Sequence, residues 1–148
     1  MTQITCQRIF EKIQLLDEYI FYLEKLKVEI KNEQQFLDDF HFFGLTERYL
    51  QLTCQSIIDI LDLLIIEEKI EKPEERREIV SLLFNKKVLS ENLASRLEGL
   101  VGFRNILVHE YGKIDRKRVY EFLVERTEDF QVFKKEILSW LKMNKNKD

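Results

Sequence analysis

The stretch IFEKIQLLDEYIFYLEKLKVEI, Ile9 to Ile30, decides the fold class. Ile9, Ile13, Leu16, Ile20, Leu23, Leu26 and Ile30 fall three or four residues apart, with Glu, Lys and Gln between them. At about 3.6 residues per turn this spacing aligns the apolar side chains on one face. It predicts one long amphipathic helix from Ile4 to about Lys31.

The same periodicity continues downstream. Asn32 to Phe43 carries Phe36, Leu37, Phe40, Phe42 and Phe43 and reads as a short helix ended by Gly44. Thr46 to about Glu68 is the second main helix. Its half from Ile57 to Ile66 is apolar on most sides, which marks a central helix packed on several faces. Pro73, suited to a first helical position, opens a helix to about Phe84, with Glu74 and Glu75 at the positive end of its dipole. Ser90 can cap a helix from Glu91 to Tyr111, ended by Gly112. Asp115 can cap the last, about Arg116 to Lys142. The prediction is an all-α, up-and-down bundle of about five helices with short loops, one domain over residues 1–143 and a polar tail at 144–148.

Composition agrees. Of 148 residues, 45% are hydrophobic and 34% charged, enough for a core and too apolar for a disordered chain. Four Gly and one Pro are too few for the turns of a sandwich or barrel. A net charge of −3 excludes a general polyanion binder, so any nucleic-acid contact must rest on a local patch. Cys6 and Cys54 form no CxxC pair and have no histidine at ligand spacing, which gives a zinc site no support. Two free thiols suit a reducing cytosol. The opening MTQITCQRIFEK shows no apolar signal region. The apolar run Ile57–Ile66 is interrupted by Asp59 and Asp62 and is too short to span a bilayer. The expectation is a cytoplasmic protein with no membrane partner.

One segment departs from this pattern: RNILVHEY, Arg104 to Tyr111. On a helix at about 100° per residue, Leu93, Leu97, Leu100, Val101 and Leu107 cluster in one direction, and Arg104 falls in the middle of them. Arginine is rarely buried unless paired, so the stripe should open onto a cleft or an interface. His109 points about 140° away from Arg104 and about 40° from Asn105, its i,i+4 neighbour. Tyr111 shares the Arg104 direction. A histidine titrates near pH 6.5 and shuttles protons at neutral pH, at a rough value of 6.5 for the free side chain. A guanidinium can stabilise charge on a phosphorane. Spacing alone also fits an arginine reaching out of an apolar groove and a surface histidine near a helix end.

RNILVHEY resembles the Arg-x4-His-x-Tyr motif of the HepT-like branch of the HEPN ribonucleases. ERYLQLTCQSIIDI, Glu47 to Ile60, is similar to that family's second main helix. LSENLASRLEGLVGFRNILVHEYGKID, Leu89 to Asp115, is similar to its motif helix and following turn. The resemblance runs in order over nearly the whole chain. It implies a HEPN-like helical domain that acts as a metal-independent endoribonuclease toxin, without a cofactor, as a homodimer with the motifs of both copies lining one cleft. Arg104 and His109 would be the catalytic pair and Asn105 a supporting residue. The family's partner is an MntA-like nucleotidyltransferase antitoxin, which would transfer AMP from ATP to Tyr111. Two-fold symmetry would also bring together groups that one helix points apart. The alternative is a non-catalytic helical dimer that binds a partner protein or nucleotide.

Lys113, Arg116, Lys117 and Arg118 follow the motif at the start of the last helix, where cations oppose the dipole. RNA backbone or ATP phosphate would explain them; so would a solvated face. His41, among Phe40, Phe42 and Phe43, reads as structural or surface. Glu47 and Arg48 read as helix-end residues. Asp59 and Asp62 lack a third ligand for a metal. Arg126, on the apolar stripe of the last helix, should snorkel or pair with an acid.

Overall fold

The computed structural model describes residues 2–107 and 114–144. Among these the chain forms seven helices and no strand: α1 (Gln3–Glu29), α2 (Glu33–Asp38), α3 (Phe40–Glu67), α4 (Glu78–Asn85), α5 (Glu91–Leu97), α6 (Leu100–Leu107) and α7 (Arg116–Asn144). The all-α expectation holds. The count exceeds the expected five or so because the helical segments of the sequence number six, short ones included, and one of them is broken in two.

Side-chain caps set most of the ends. Thr2 caps α1 by accepting from the Thr5 N–H at 3.2 Å, and Asn32 caps α2 from the Gln35 N–H at 2.8 Å. Asp39 ends α2 and starts α3, taking the His41 N–H on its carboxylate at 2.9 Å. That cap places the break five residues before Gly44, which therefore lies inside α3 rather than ending a helix. Ser90 and Asp115 cap as predicted, accepting from the Leu93 N–H at 3.1 Å and the Arg118 N–H at 3.4 Å.

Pro73 does not open a helix. The segment after it is all charge up to Glu78, and none of residues 71–78 is buried. It makes turns instead, and α4 begins only where Ile79 and Leu83 reach the core.

α3 is the central element. Its length and composition would allow it to cross a membrane. In the fold it packs on α1, α2, α4, α6 and α7, and residues such as Leu50, Ile57, Ile60, Leu61 and Leu64 are fully buried. Lys12 meets Asp59 and Tyr22 meets Tyr49, so α1 runs antiparallel to α3. Asp17 meets Lys134 and Lys27 meets Thr127, so α1 is antiparallel to α7 as well. All seven apolar positions that defined the first helix, Ile9 through Ile30, are buried.

The predicted helix from Glu91 to Tyr111 is broken at Glu98 and Gly99. Glu98 is extended, and Gly99 has φ +85°, a region that L side chains rarely adopt. The Gly99 carbonyl then accepts from the Phe103 N–H at 2.9 Å and starts α6. Arg126 of α7 donates to the Arg96 carbonyl at 2.7 Å, taking up a group that the break frees. Arg126 also pairs with Asp129 at 2.5 Å, as the sequence reading anticipated, and Asp129 bonds Arg96 at 3.0 Å. Phe103 stacks on Phe122 at 3.8 Å between ring centroids, which fixes α6 on α7.

Candidate active site

α6 packs on α3, and this contact presents Arg104. Leu100 and Leu107 on the same short helix are buried and Arg104 between them is half-buried, whereas the break at Gly99 puts Leu93 and Leu97 on α5, so the single stripe expected from Glu91 to Tyr111 is not one helix face. Arg104 Nε donates to Gln55 Oε1 at 3.1 Å. Gln55 Nε2 donates in turn to Asp59 Oδ1 at 2.8 Å, and Asp59 Oδ2 accepts from Lys12 Nζ at 3.1 Å. A polar line therefore runs from α6 through α3 to α1.

Gln55 was not singled out by sequence reasoning. A signal existed: Gln51, Gln55 and Asp59 stand four residues apart on an otherwise apolar helix, which makes one polar stripe. Asp59 is engaged by Gln55 and Lys12. Burial pushes the Asp62 carboxyl up, Arg76 and Lys72 pull it down, and Asp59 adds to the rise. Among the described residues no group of three His, Cys, Asp or Glu is placed to hold a metal.

Cys54, beside Gln55, is fully buried, and burial pushes its thiol up to about 12 against the pull of Arg104 and Arg126. A thiol held neutral in this way is a poor nucleophile.

α7 begins against α3 at Glu47, about two turns nearer the start of α3 than Gln55. Arg116 rests on the Phe43 ring at 3.7 Å to its centroid, and its Nε lies 3.7 Å from Glu47 Oε1. Burial raises the Glu47 carboxyl above its ordinary range, with Arg116 opposing the rise. Glu47 sits two turns inside α3, not at the helix end that the sequence suggested. Of the basic cluster, Arg116 thus has partners within the fold, while Lys117 and Arg118 are exposed. Asn105 is exposed. His41 is at the surface, its Nδ1 3.2 Å from Asp39 Oδ1. His109, Tyr111 and Lys113 lie outside the described residues.

Comparison with known proteins gives the family. A family model described as Ribonuclease HepT-like matches residues 11–137. The tRNA nuclease HepT of Aphanizomenon flos-aquae is 30% identical over 141 residues, 95% of this chain and 95% of that protein. The mRNA nuclease HepT of Shewanella oneidensis is 29% identical over 99 residues, 67% of this chain and 74% of that protein. A solved structure of the tri-AMPylated Shewanella oneidensis HEPN toxin in complex with MNT antitoxin matches with a TM-score of 0.77 at 26% identity, covering 94% of this chain and 99% of the toxin.

The all-helical architecture and its match to a solved HEPN toxin make this an all-α HEPN fold. Within that class, this chain belongs to the HepT-like ribonuclease family.

Proposed function

We propose that this chain is a metal-independent endoribonuclease, the toxin of a toxin–antitoxin module, working in the cytoplasm as a homodimer. The observation that carries this reading is Arg104. It sits in the middle of an apolar helix face, half-buried, with its Nε already bonded to Gln55. A fixed, half-buried guanidinium suits an anion that gains charge during reaction. Membership in a ribonuclease family supports the same reading.

In the proposed reaction, His109 takes the proton of a ribose 2′-OH. The 2′ oxygen attacks the neighbouring phosphorus, and the bond to the 5′ oxygen breaks. The leaving oxygen is protonated by an imidazolium, and the products carry a 2′,3′-cyclic phosphate and a 5′-OH. Arg104 stabilises the added negative charge on the phosphorane. Asn105, four residues before His109, holds the imidazole. A second copy of the motif across a two-fold axis supplies the group that one helix alone points away. Lys113, Lys117 and Arg118, with the exposed part of Arg116, would contact RNA phosphates.

Regulation follows from Tyr111. An MntA-like nucleotidyltransferase antitoxin would join AMP from ATP to the tyrosine oxygen, releasing pyrophosphate. By the helical spacing of the sequence the new phosphodiester would put negative charge and bulk toward Arg104, where the RNA phosphate would bind. The AMPylated toxin–antitoxin relative supports this partner.

The test uses purified full-length chain and bulk tRNA. Cleavage in EDTA with cyclic-phosphate ends is expected, and Arg104→Ala or His109→Ala should each abolish it without loss of fold. If EDTA stops cleavage and Mg²⁺ restores it, metal independence is wrong. If neither substitution alters cleavage, the motif serves binding and not catalysis.

A further inference from the structure

Gln55 has a chemistry that the catalytic pair does not explain. A glutamine amide has one accepting end and one donating end, and its orientation is set by its partners. Arg104 only donates. An ionised Asp59 only accepts. With Nε2 bonded to Asp59 Oδ1 at 2.8 Å, Oε1 must face Arg104 Nε, where it stands at 3.1 Å. The reverse orientation would set two donors together and two acceptors together. The carboxylate on one side of the amide therefore fixes the acceptor on the other.

Asp59 has its own anchor in Lys12, 3.1 Å from its second oxygen. The two side chains are 31% and 39% exposed, so the ion pair itself contributes little stability. Its effect is on direction. It holds the carboxylate on the α1 side of α3, one helical turn from Gln55. Arg104 thus receives a neutral acceptor and not a carboxylate, and its full positive charge stays available to an anionic substrate. A direct Arg104–Asp59 pair would spend that charge inside the fold.

We propose that Gln55 is a positioning residue for Arg104, with its amide polarity set by Asp59 and, through Asp59, by Lys12. This rests on the ribonuclease reading given above. The amide aligns the guanidinium plane for the phosphate without neutralising it. Misplacement of a catalytic group by about 1 Å can cost on the order of 100-fold in rate.

The experiment is single-turnover cleavage of bulk tRNA by the full-length chain, comparing the rate at saturation with the half-saturating concentration. Gln55→Met keeps length and apolar packing and removes both hydrogen bonds. It should lower the saturated rate by about 10- to 100-fold while half-saturation changes by less than about 3-fold. Asp59→Asn can present either a donor or an acceptor to the amide. It should lower the rate by about 3- to 10-fold and decides the matter if Gln55→Met fails to fold. Both effects should vanish in an Arg104→Lys background, because lysine has no Nε to align.

Wild-type rates for a folded Gln55→Met overturn the proposal, as do wild-type rates for Asp59→Asn where Gln55→Met does not fold. So does an undiminished effect in the Arg104→Lys background, since Gln55 would then act elsewhere. In each of these cases the nuclease reading stands if Arg104→Ala is inactive. Full cleavage by Arg104→Ala instead removes Arg104 from the catalytic machinery and this proposal with it, whereas no cleavage by the natural chain removes the nuclease reading.

Discussion

The guanidinium of Arg126 caps the backbone carbonyl of Arg96 at 2.7 Å, so a side chain of the last helix closes the end of α5 where the motif helix breaks. Asp129 completes the device. It is 8% exposed and accepts from Arg96 on one oxygen and from Arg126 on the other. Removing it leaves two guanidinium groups facing each other in a partly dry site. Asp129→Ala is expected to destabilise the fold by about 2–4 kcal/mol, less than a sealed ion pair because both arginines reach solvent. Urea unfolding measures it, and a change under about 0.5 kcal/mol would show that the network contributes nothing to the break.

Gly99 offers a cleaner test of the same break. Its φ of +85° suits glycine, and a Cβ added there would meet nothing within 4 Å. Gly99→Ala should therefore cost only the backbone conformation, about 1–2 kcal/mol, with no steric addition. A stability gain would mean that the chain prefers one unbroken helix from α5 into α6.

Glu47 predicts a pH dependence with a definite sign. Burial raises its carboxyl above the ordinary range despite Arg116. Ionising such a group costs stability, so its favourable contribution is complete below the unfolded value, near 4.3 as a rough reference. That contribution is lost as pH rises through the folded value. Glu47→Gln cannot ionise. It should be at least as stable as the natural chain near neutral pH, with the difference shrinking below the carboxylate range. Melting curves at several pH values report this, and a variant that loses more stability at neutral than at acid pH would show that attraction to Arg116 dominates instead.

Tyr111 separates modification from catalysis. Tyr111→Phe should retain most cleavage of bulk tRNA, yet resist inactivation by the nucleotidyltransferase with ATP. Intact-mass measurement checks the acceptor directly. A Phe variant that still gains AMP and loses activity would move the modification to another residue.

Assembly is the last expectation. A homodimer that includes the α5–α6 segment would cover the opening beside Arg104 and pair two motifs. Light scattering at micromolar concentration should give twice the chain mass; a monomer there would leave the proposed reaction without its second motif.

Sequence periodicity carried the helical class because burial of Ile9, Ile13, Leu16 and their repeats needs only a 3.6-residue spacing, a local property. Ser90 and Asp115 were legible for the same reason, since a cap bonds a backbone group within three residues. Arg104 stood out because a charge in an apolar stripe conflicts with its neighbours. The break at Gly99 was not legible: one carbonyl that it frees, that of Arg96, is taken up by Arg126, which lies 30 residues away in the chain. Gln55 was missed because an amide has no pattern of its own; it acquires a role only when α6 sets a donor on one side of it and Asp59 sets an acceptor on the other. Local spacing therefore determined the helices, and the resemblance of RNILVHEY to a known motif supplied the catalytic expectation, whereas the packing of α6 and α7 on α3 decided which groups hold Arg104 and where the motif helix breaks.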